Sequence, residues 1–325
     1  MRIGVIGAGA VGGVLAALLD RAGHSVAVTA RGAHLSKIQD SGITLSGAWG
    51  SHVARVDATP ELPKGLDLVL VTTKAQDATA ALTTHAFLDG VPVLVIQNGL
   101  EAVSTATRLL PHSPVAGGLA LFAASYLRPG FVEVTAAQPL YLGGAASPFV
   151  SLLSPLLPVT EVSNFAGAQW TKLIVNQLNA LPAITGMSVQ ETIAHPGLRR
   201  VLTASMREAV RVGIGAGVRF EPLQGLTDAS LRRFARLPFW AAQALPLRFA
   251  RTFGDVPNPG STLQSLRRGQ RTEIDYLNGA VVAAGVAPVN AALVALVHSV
   301  ESSGKFLPPA DVVQQLSAKM RRGWS

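Results

Sequence analysis

Four short apolar runs mark the first third of the chain, each bounded by turn residues or polar segments. They are rich in Val, Ile and Leu and lack polar alternation, which is typical of strands covered on both faces of a parallel sheet. Amphipathic helical segments separate several of them, so the pattern predicts a Rossmann-type, doubly wound α/β sheet. The predicted strands are Arg2–Ile6, Ser25–Thr29, 66–72 and 91–96.

The pattern changes twice further along the chain. Residues 115–127, 130–136 and 139–142 are closely spaced apolar runs with turn residues between them, which predicts an antiparallel extension of the same sheet. Helical periodicity then dominates. We therefore expect two domains, a sheet domain at 1–163 and a mainly α-helical domain at 164–325. The predicted helices of the second domain are 168–180, 196–216, 271–284 and 291–302.

One stretch, 219–259, fits neither pattern because prolines interrupt it repeatedly. Phe239, Trp240 and Phe249 lie in it among arginines, which suggests exposed aromatic side chains. A helix and loop insertion packed on the domain surface is the favoured interpretation. A lid and a homodimer contact are the alternatives.

Length and composition narrow the class of protein. A chain of 325 residues exceeds what one core usually serves, so a cleft between two domains is expected. With 49% hydrophobic and 14% charged residues, the chain is typical of a compact globular protein. The absence of cysteine excludes disulfides, thiolate zinc sites and a cysteine nucleophile.

The apolar N-terminal stretch could be mistaken for a signal peptide. It contains five glycines between positions 4 and 13, which suit a phosphate-binding loop better than a helical signal core. No later apolar run reaches the roughly 18 residues of a membrane span. We expect a soluble, cytoplasmic protein without a membrane partner.

The formal net charge of +8 favours anionic ligands. Arginine supplies most of the positive charge, since only six of the 27 basic residues are lysine. The arginines are scattered as singles and pairs without interleaved aromatic residues, so nucleic acid is not an expected partner. A phosphorylated cofactor and a carboxylate substrate would account for the positive charge.

The segment after the first predicted strand carries the clearest motif. It matches G-x-G-x-x-G and opens a predicted helix, the context of a dinucleotide site. The first glycine permits a tight turn, the second lets a pyrophosphate approach the backbone, and the third lets the helix pack closely. The expected cofactor-binding residues are Gly7, Ala8, Gly9, Ala10, Val11 and Gly12.

The end of the second predicted strand indicates which dinucleotide binds. Sites that prefer NAD usually place a carboxylate there to accept from the ribose hydroxyls, about 20 residues after the loop. This chain has Thr29, Ala30 and Arg31 instead. Arg31 offers a planar set of donors to a 2′-phosphate, so we predict NADP(H) as the cofactor.

Five further stretches, taken together and in order, resemble the ketopantoate reductase (2-dehydropantoate 2-reductase) family. The resemblance covers nearly the whole chain except about 219–257. It implies NADPH-dependent reduction of 2-dehydropantoate to pantoate, a step in pantothenate and coenzyme A biosynthesis. The stretches are Thr-Lys-Ala at 73–75, Gln-Asn-Gly at 97–99, Trp-Thr-Lys-Leu-Ile-Val-Asn at 170–176, Ser-Thr-Leu-Gln at 261–264 and Arg-Thr-Glu-Ile-Asp at 271–275.

The resemblance assigns the catalytic pair. It implies that Lys172 is the general acid and that Glu273 contacts the cofactor and helps position the site. The chemistry agrees, because hydride addition to a ketone leaves an alkoxide that a nearby cationic donor can stabilise and protonate. Lys172 also lies in an otherwise apolar helical segment, which disfavours the alternative of a solvated surface lysine.

The resemblance also implies ligand contacts in both halves of the chain. Lys74, Asn98 and the backbone of Ala123 are expected on the cofactor side, and Asn98 is also expected to reach the substrate. Asn176 shares a helical face with Lys172 and is an expected substrate contact. The remaining expected substrate contacts are Asn179 and Ser261.

Two of these substrate assignments have a qualification. Asn179 follows Lys172 by seven residues where the family has eight, so the identity of the 2-keto acid stays open. Ser261 has the family's spacing before Glu273, and it is also a good candidate for a helix N-cap.

Other chemistries lack support in the sequence. There is no H-E-x-x-H and no G-x-S-x-G motif, and no metal site is predicted. His195 and His298 are interpreted as ordinary helix or loop residues, and Asp275 and Asp311 as solvated helix charges. The alternative functions are reduction of another 2-keto acid and a non-catalytic, dinucleotide-binding regulatory role, which the presence of both Lys172 and Glu273 disfavours.

Overall fold

The computed structural model describes residues 1–252 and 257–322. The chain divides into a compact unit, Met1–Phe165, and a second unit that begins at Ala166. Within the described ranges, no helix is both long enough and apolar enough to cross a membrane.

The first unit contains twelve strands in the ranges described. Their bounds are β1 Arg2–Ile6, β2 Ser25–Thr29, β3 Ile43–Gly47, β4 His52–Ala54, β5 Asp57–Thr59, β6 Leu68–Val71, β7 Val93–Ile96, β8 Val115–Ala120, β9 Ala123–Arg128, β10 Phe131–Ala136, β11 Leu140–Gly144 and β12 Val159–Glu161. Five helices connect them: α1 Ala10–Arg21, α2 Gly32–Ser41, α3 Ala75–Thr84, α4 Ala102–Leu109 and α5 Ser147–Leu153.

The main sheet has the order β12-β11-β8-β7-β6-β1-β2-β5. β1 pairs in parallel with both β2 and β6, so the direction of winding reverses beside it. Strands β1, β6 and β7 are buried almost throughout, as expected for Val- and Ile-rich strands covered on both faces. The prediction of a doubly wound α/β sheet is therefore confirmed.

A second sheet, of order β4-β3-β10-β9, covers the other side of α1. Every residue of α1 from Gly12 to Leu19 is buried. The helix lies between two apolar layers, which explains why its sequence is apolar on all sides and why the expected amphipathic pattern was wrong here.

The predicted antiparallel extension is correct for one strand only. β11 pairs antiparallel with β8 in the main sheet, whereas β9 and β10 belong to the second sheet. The run 115–127, predicted as a single strand, breaks at 121–122 and supplies one strand to each sheet. Periodicity cannot distinguish these cases, because a strand buried in either sheet has the same apolar pattern.

The second unit is helical in the ranges described. Its helices are α6 Phe165–Asn176, which starts in the last residue of the first unit, α7 Ala180–Thr185, α8 Val189–Ala194, α9 Pro196–Gly215, α10 Asp228–Arg236, α11 Phe239–Ala242, α12 Ala244–Thr252, α13 Gly260–Arg267, α14 Asn278–Ala284, α15 Pro288–Ser303 and α16 Pro309–Arg322. The long α9 is the centre, since α8, α10, α14, α15 and α16 all pack on it. Its buried face includes Leu198, Leu202 and Met206.

One helical prediction changes in the structure. Residues 271–273 are not helical; a 3₁₀ turn, Ile274–Tyr276, precedes α14, so the predicted helix 271–284 forms only in its second half.

The stretch 219–259 contains the three helices α10 to α12, and its residues 253–256 lie outside the described residues. Trp240 is 77% exposed as expected, but Phe249 is buried, contrary to expectation.

A buried polar cluster joins four elements of the second unit. The Asn278 Nδ2 donates to Gln177 Oε1 at 2.7 Å and to Asn290 Oδ1 at 2.9 Å. The Ser205 Oγ donates to Asn290 Oδ1, and the Asn290 Nδ2 donates to Glu208 Oε2. Because every member is buried, the bonds hold these elements in one arrangement: a displaced partner would leave a polar group without water.

Replacement of Asn290 tests how much this cluster contributes to stability. Asn290→Ala removes an acceptor used by two side chains and a donor to Glu208, so the free energy of unfolding should fall by about 2–4 kcal/mol. Urea unfolding followed by circular dichroism measures this. Gln314→Ala removes an exposed amide on α16 and should change the value by less than about 0.5 kcal/mol. Equal effects of the two substitutions would contradict the assigned role.

Candidate active site

The carboxyl ends of β1, β6 and β7 place three loops side by side in the first unit. We call these loops, residues 7–12, 72–74 and 97–98, the glycine edge. The Thr72 Oγ1 donates to the Gly7 carbonyl at 2.7 Å, and the Gln97 Nε2 donates to the Thr73 carbonyl at 2.8 Å. Ligands of such sheets bind at the carboxyl edge where the winding reverses, which is this place.

Glycine occurs at positions 7, 9 and 12 of the loop for three different physical reasons. Gly7 has φ +98°, a conformation that favours glycine. A Cβ on Gly12 would collide with the Gly7 carbonyl and the Thr72 hydroxyl, so glycine is required for α1 to start beside β6. A Cβ on the exposed Gly9 would meet no protein atom within 4 Å. The fold does not demand glycine at position 9, whereas the close approach of a pyrophosphate would.

The end of β2 supports this loop. The Thr29 Oγ1 accepts from the Gly7 N–H at 2.8 Å, and the Thr29 carbonyl accepts from the Ala8 N–H at 3.0 Å. The Thr29 side chain is thereby used to hold the loop. Arg31 is exposed in extended conformation at the N-cap position of α2, where its guanidinium can meet an anion.

The structure brings the other expected cofactor-side residues to the strand ends of this unit. Lys74 is at the N-cap position of α3 after β6, and Asn98 follows β7 by two residues. Both are partly buried. Ala123 is the exposed first residue of β9, three positions after the end of β8.

Lys172 lies on α6 of the second unit among apolar neighbours, since Leu173 and Ile174 are buried. Desolvation lowers the pKa of Lys172 to about 8, and the negative charge of Glu273 opposes that shift. An ammonium that titrates near pH 8 can give up a proton far more readily than an ordinary lysine. The expected catalytic pair is therefore brought together within this unit.

Glu273 lies in a short loop that is fixed at both ends. On one side the Thr272 N–H donates to Glu301 Oε1 at 2.8 Å. On the other side Asn278 is bonded to Gln177, the residue directly after the end of α6. The first contact joins the loop to α15, and the second joins the segment that follows Glu273 to the end of the helix of Lys172.

His298 and Asp275 form hydrogen bonds beside the loop of Glu273. The His298 imidazole lies between Glu301 Oε2 at 2.7 Å and Asp275 Oδ1 at 2.9 Å. Burial alone would lower the pKa of His298, but the bonds to Asp275 and Glu301 raise it overall. Asp275, which was expected to be a solvated helix charge, also bonds to the His298 imidazole.

The expected substrate contacts lie close to the same helix end. Asn176, the last residue of α6, lies one turn from Lys172 on the same face. Asn179 follows in a 3₁₀ turn, Gln177–Asn179. A Cβ on Gly260 would lie 2.6 Å from Asn179 Oδ1, so this amide faces the start of α13, directly before Ser261.

The 3₁₀ turn partly offsets the missing residue between Lys172 and Asn179. A 3₁₀ helix advances about 120° per residue and an α-helix about 100°, so three such residues add roughly 60° of the 100° that the deletion removes. Ser261 is exposed in the first turn of α13, and Pro259 holds the N-cap position. The expected capping role of Ser261 was therefore wrong.

Sequence reasoning missed several residues that hold this machinery. Thr29 and Thr72 support the loop of the glycine edge, and Gln177 and Asn278 join α6 to the loop of Glu273. Hydroxyls at strand ends were a usable signal for the first pair. Nothing local marks the second pair, since their partners are about 100 positions apart. No group of His, Asp or Glu suited to a metal occurs in the part of the chain described.

Comparison with known protein families identifies the family to which this chain belongs. A model described as ketopantoate reductase PanE/ApbA matches residues 3–147, and one described as its C-terminal part matches residues 164–301. The chain belongs to the ketopantoate reductase family. It is accordingly an oxidoreductase with a Rossmann-type domain.

Individual members of the ketopantoate reductase family agree over nearly the full length. The 2-dehydropantoate 2-reductase of Archaeoglobus fulgidus is 27% identical over 93% of this chain and 98% of its own. The crystal structure of a PanE/ApbA family ketopantoate reductase from Ralstonia eutropha is 29% identical, with TM-score 0.79, over 93% of this chain and 99% of its own. D-mandelate dehydrogenase, solved with NADH and anilino(oxo)acetate, shares the fold at 20% identity and TM-score 0.79, with the same coverage.

Substitution of Gly9 and Gly12 separates ligand binding from folding. Gly9→Ala points a methyl group into open space, so it should change the free energy of unfolding by less than about 1 kcal/mol. It should nevertheless weaken dinucleotide binding at least about tenfold by blocking the pyrophosphate. Gly12→Ala should lower the thermal midpoint because its Cβ collides with backbone. Fluorescence titration and thermal melts measure both, and unchanged dinucleotide affinity in Gly9→Ala would exclude this loop as the phosphate site.

Proposed function

We propose that this chain catalyses the NADPH-dependent reduction of 2-dehydropantoate to pantoate. The observation that carries the proposal is the pKa of Lys172, lowered to about 8 by desolvation and coupled to Glu273, in a chain of the ketopantoate reductase family. A lysine of this kind is protonated at neutral pH and can still release its proton. That is the requirement for a general acid in carbonyl reduction.

When bound, the reduced nicotinamide supplies a hydride to the carbonyl carbon of the substrate. The carbonyl oxygen gains negative charge as the C–H bond forms. The Lys172 ammonium stabilises that charge and transfers its proton to the oxygen, which yields the hydroxyl of the product. Glu273 keeps Lys172 protonated between turnovers by favouring the charged form of the amine.

The residues that would hold the cofactor fit its chemistry. The open space beside Gly9 and the N-terminus of α1 suit a pyrophosphate. The exposed Arg31 guanidinium suits the 2′-phosphate that distinguishes NADPH from NADH. Lys74 and Asn98 are proposed to contact the cofactor further along the glycine edge, with Ala123 backbone beside it.

The proposed substrate contacts suit a hydroxylated 2-keto acid. Asn98, Asn176 and Ser261 are assigned to its polar groups, and Asn179 is assigned through its position beside Gly260. Amides and a hydroxyl can donate to a carboxylate and also accept from a substrate hydroxyl. A site built on such groups rejects analogues that lack the hydroxyl.

A second candidate is reduction of a different 2-keto acid. The observation in its favour is the missing residue before Asn179, because the 3₁₀ turn restores only about 60° of a roughly 100° rotation. D-mandelate dehydrogenase shows that this fold also occurs in an enzyme named for an aromatic hydroxy acid.

Steady-state assays decide between the two candidates. NADPH oxidation is followed with 2-dehydropantoate and with a panel of aliphatic and aromatic 2-keto acids at equal concentrations. We expect the highest kcat/KM for 2-dehydropantoate. A higher value for another acid would favour the second candidate, and no turnover of any acid would favour a regulatory role.

Arg31 provides a test of cofactor choice. Arg31→Ala should raise the KM for NADPH about 10- to 100-fold, the loss expected for a charge-assisted contact with phosphate, and should leave the KM for NADH within about twofold. Arg108→Ala removes an equal charge from the exposed face of α4 and serves as the control. An equal loss for both cofactors would show that Arg31 does not read the 2′-phosphate.

Lys172 provides the test of mechanism. Lys172→Ala should lower kcat by a factor of roughly 100 to 10,000, as expected for a lost general acid, with little change in NADPH affinity. In the unmodified enzyme, the rate of reduction should fall as the pH rises through about 8, because the ammonium loses its proton there. Initial rates from pH 6 to 10 measure both effects.

Two further variants make the mechanism test specific. Glu273→Gln removes the charge that favours the ammonium, so the descending limb should move to lower pH. Lys305→Ala, which removes an exposed lysine, should leave the profile unchanged. A Lys172→Ala enzyme with a raised substrate KM but normal kcat and pH limb would assign Lys172 to substrate binding instead.

A further inference from the structure

His34, in the first turn of α2, bridges two parts of the first unit that are distant in sequence. Its Nε2 lies 2.6 Å from the carbonyl oxygen of Ala8, within the loop of the glycine edge. Its Nδ1 accepts from the N–H of Gly130, in the turn between β9 and β10, at 3.0 Å. The Tyr126 ring meets the imidazole edge-on at 4.9 Å.

These two bonds fix the protonation state of the imidazole. The Gly130 N–H can bond only to a bare Nδ1, so the single ring proton must be on Nε2, where it is donated to the Ala8 carbonyl. A second proton on Nδ1 would place two donors against each other. The bridge therefore requires neutral His34.

The bond to Ala8 also controls the orientation of a neighbouring donor. The peptide group between Ala8 and Gly9 is planar and trans, so its carbonyl and its N–H point in opposite directions. By holding the carbonyl on the side of α2, His34 turns the Gly9 N–H to the opposite side. Gly9 is exposed and has open space beside it, the space assigned above to the pyrophosphate.

We propose that His34 is a positioning residue for dinucleotide binding, which presets the Gly9 N–H for the pyrophosphate and releases it when the imidazole is protonated. The dinucleotide touches the loop, and His34 acts through the loop. This role rests on the proposed cofactor site and is independent of which 2-keto acid is reduced.

The surroundings of His34 oppose its protonation. Burial lowers the pKa of His34, and the bond to the Ala8 carbonyl only partly opposes this. Arg31 at the N-cap position of α2, Lys37 within α2 and Arg128 on β9 are cations on the elements that supply the contacts of His34, and the Tyr126 ring contacts the imidazole.

The direction of the pH effect follows from this. At pH 7 and above the imidazole is neutral and the bridge is intact. As the pH falls below the ordinary histidine value of about 6.5 and through the lower pKa of His34, the Gly130 bond is lost and dinucleotide affinity should decrease.

Equilibrium binding of NADPH and NADH to the full-length protein, without substrate, tests the proposal between pH 7.5 and 5. His34→Phe keeps a ring but removes both bonds, so it should raise the Kd at pH 7.5 about 5- to 10-fold. His34→Gln retains an uncharged donor and acceptor, so it should bind more tightly than His34→Phe and lack the additional acid-dependent weakening of the wild type. Titration of the ligand phosphates is common to all variants and cancels in the ratios of Kd.

The control is His112→Gln. His112 is exposed before β8, at the amino edge of the sheet, and its bond to Asp89 raises its pKa, so it titrates without touching the loop. Its replacement should leave the Kd and its pH dependence unchanged. Nitrogen-15 NMR of the imidazoles gives a direct check, since the His34 proton should be on Nε2 at pH 7.5.

Each outcome decides the question. A His34→Phe protein with a lower thermal midpoint but an unchanged Kd at every pH would show that the bridge is structural only, and a proton on Nδ1 would exclude the bridge itself. Wild-type protein that bound neither NADPH nor NADH would overturn the cofactor site and this role with it. Normal dinucleotide binding without turnover of 2-dehydropantoate would overturn only the proposed substrate.

Discussion

The close approach of Gly12 to the Gly7 carbonyl and the Thr72 hydroxyl is the constraint on which the first unit depends. It allows α1 to start directly against β1 and β6, and no larger residue fits there. The helix then runs between two sheets, so it must be apolar around its whole circumference. The same turn leaves Gly9 exposed at the positive end of the helix. Packing and anion binding therefore have one geometric origin.

The second unit has a different constraint, which is the placement of a lysine and a glutamate among apolar helices. Desolvation of Lys172 is unfavourable, and the charge of Glu273 compensates only in part, which is why the pKa stays near 8. The loop of Glu273 has no regular structure of its own. Thr272, Asn278 and the amide cluster behind them supply the rigidity that a helix would otherwise give. Stability and chemistry thus share the same hydrogen bonds.

Local signals predicted the elements whose neighbours are close in sequence. The strand, glycine loop and helix at the start of the chain were recognisable from local sequence. The need for each glycine arises from atoms within a few residues or from the ligand itself. Lys172 and Asn176 could be paired from helical spacing alone. By contrast, β9 and β10 were assigned to the wrong sheet, and 271–273 were expected to be helical. The first error arises because apolar periodicity reports burial but not the partner strand.

The sequence by itself determined the fold class, the family and the residue types available for hydride-transfer chemistry, because these depend on short motifs and on composition. Only the tertiary structure decided which of those residues meet. The coupling of Lys172 to Glu273 spans about 100 positions, and the bridge from His34 to Ala8 and Gly130 joins three separate segments. The pKa of a buried side chain depends on all the groups that surround it in the fold, so desolvation and charge pairing become definite only when the chain is folded.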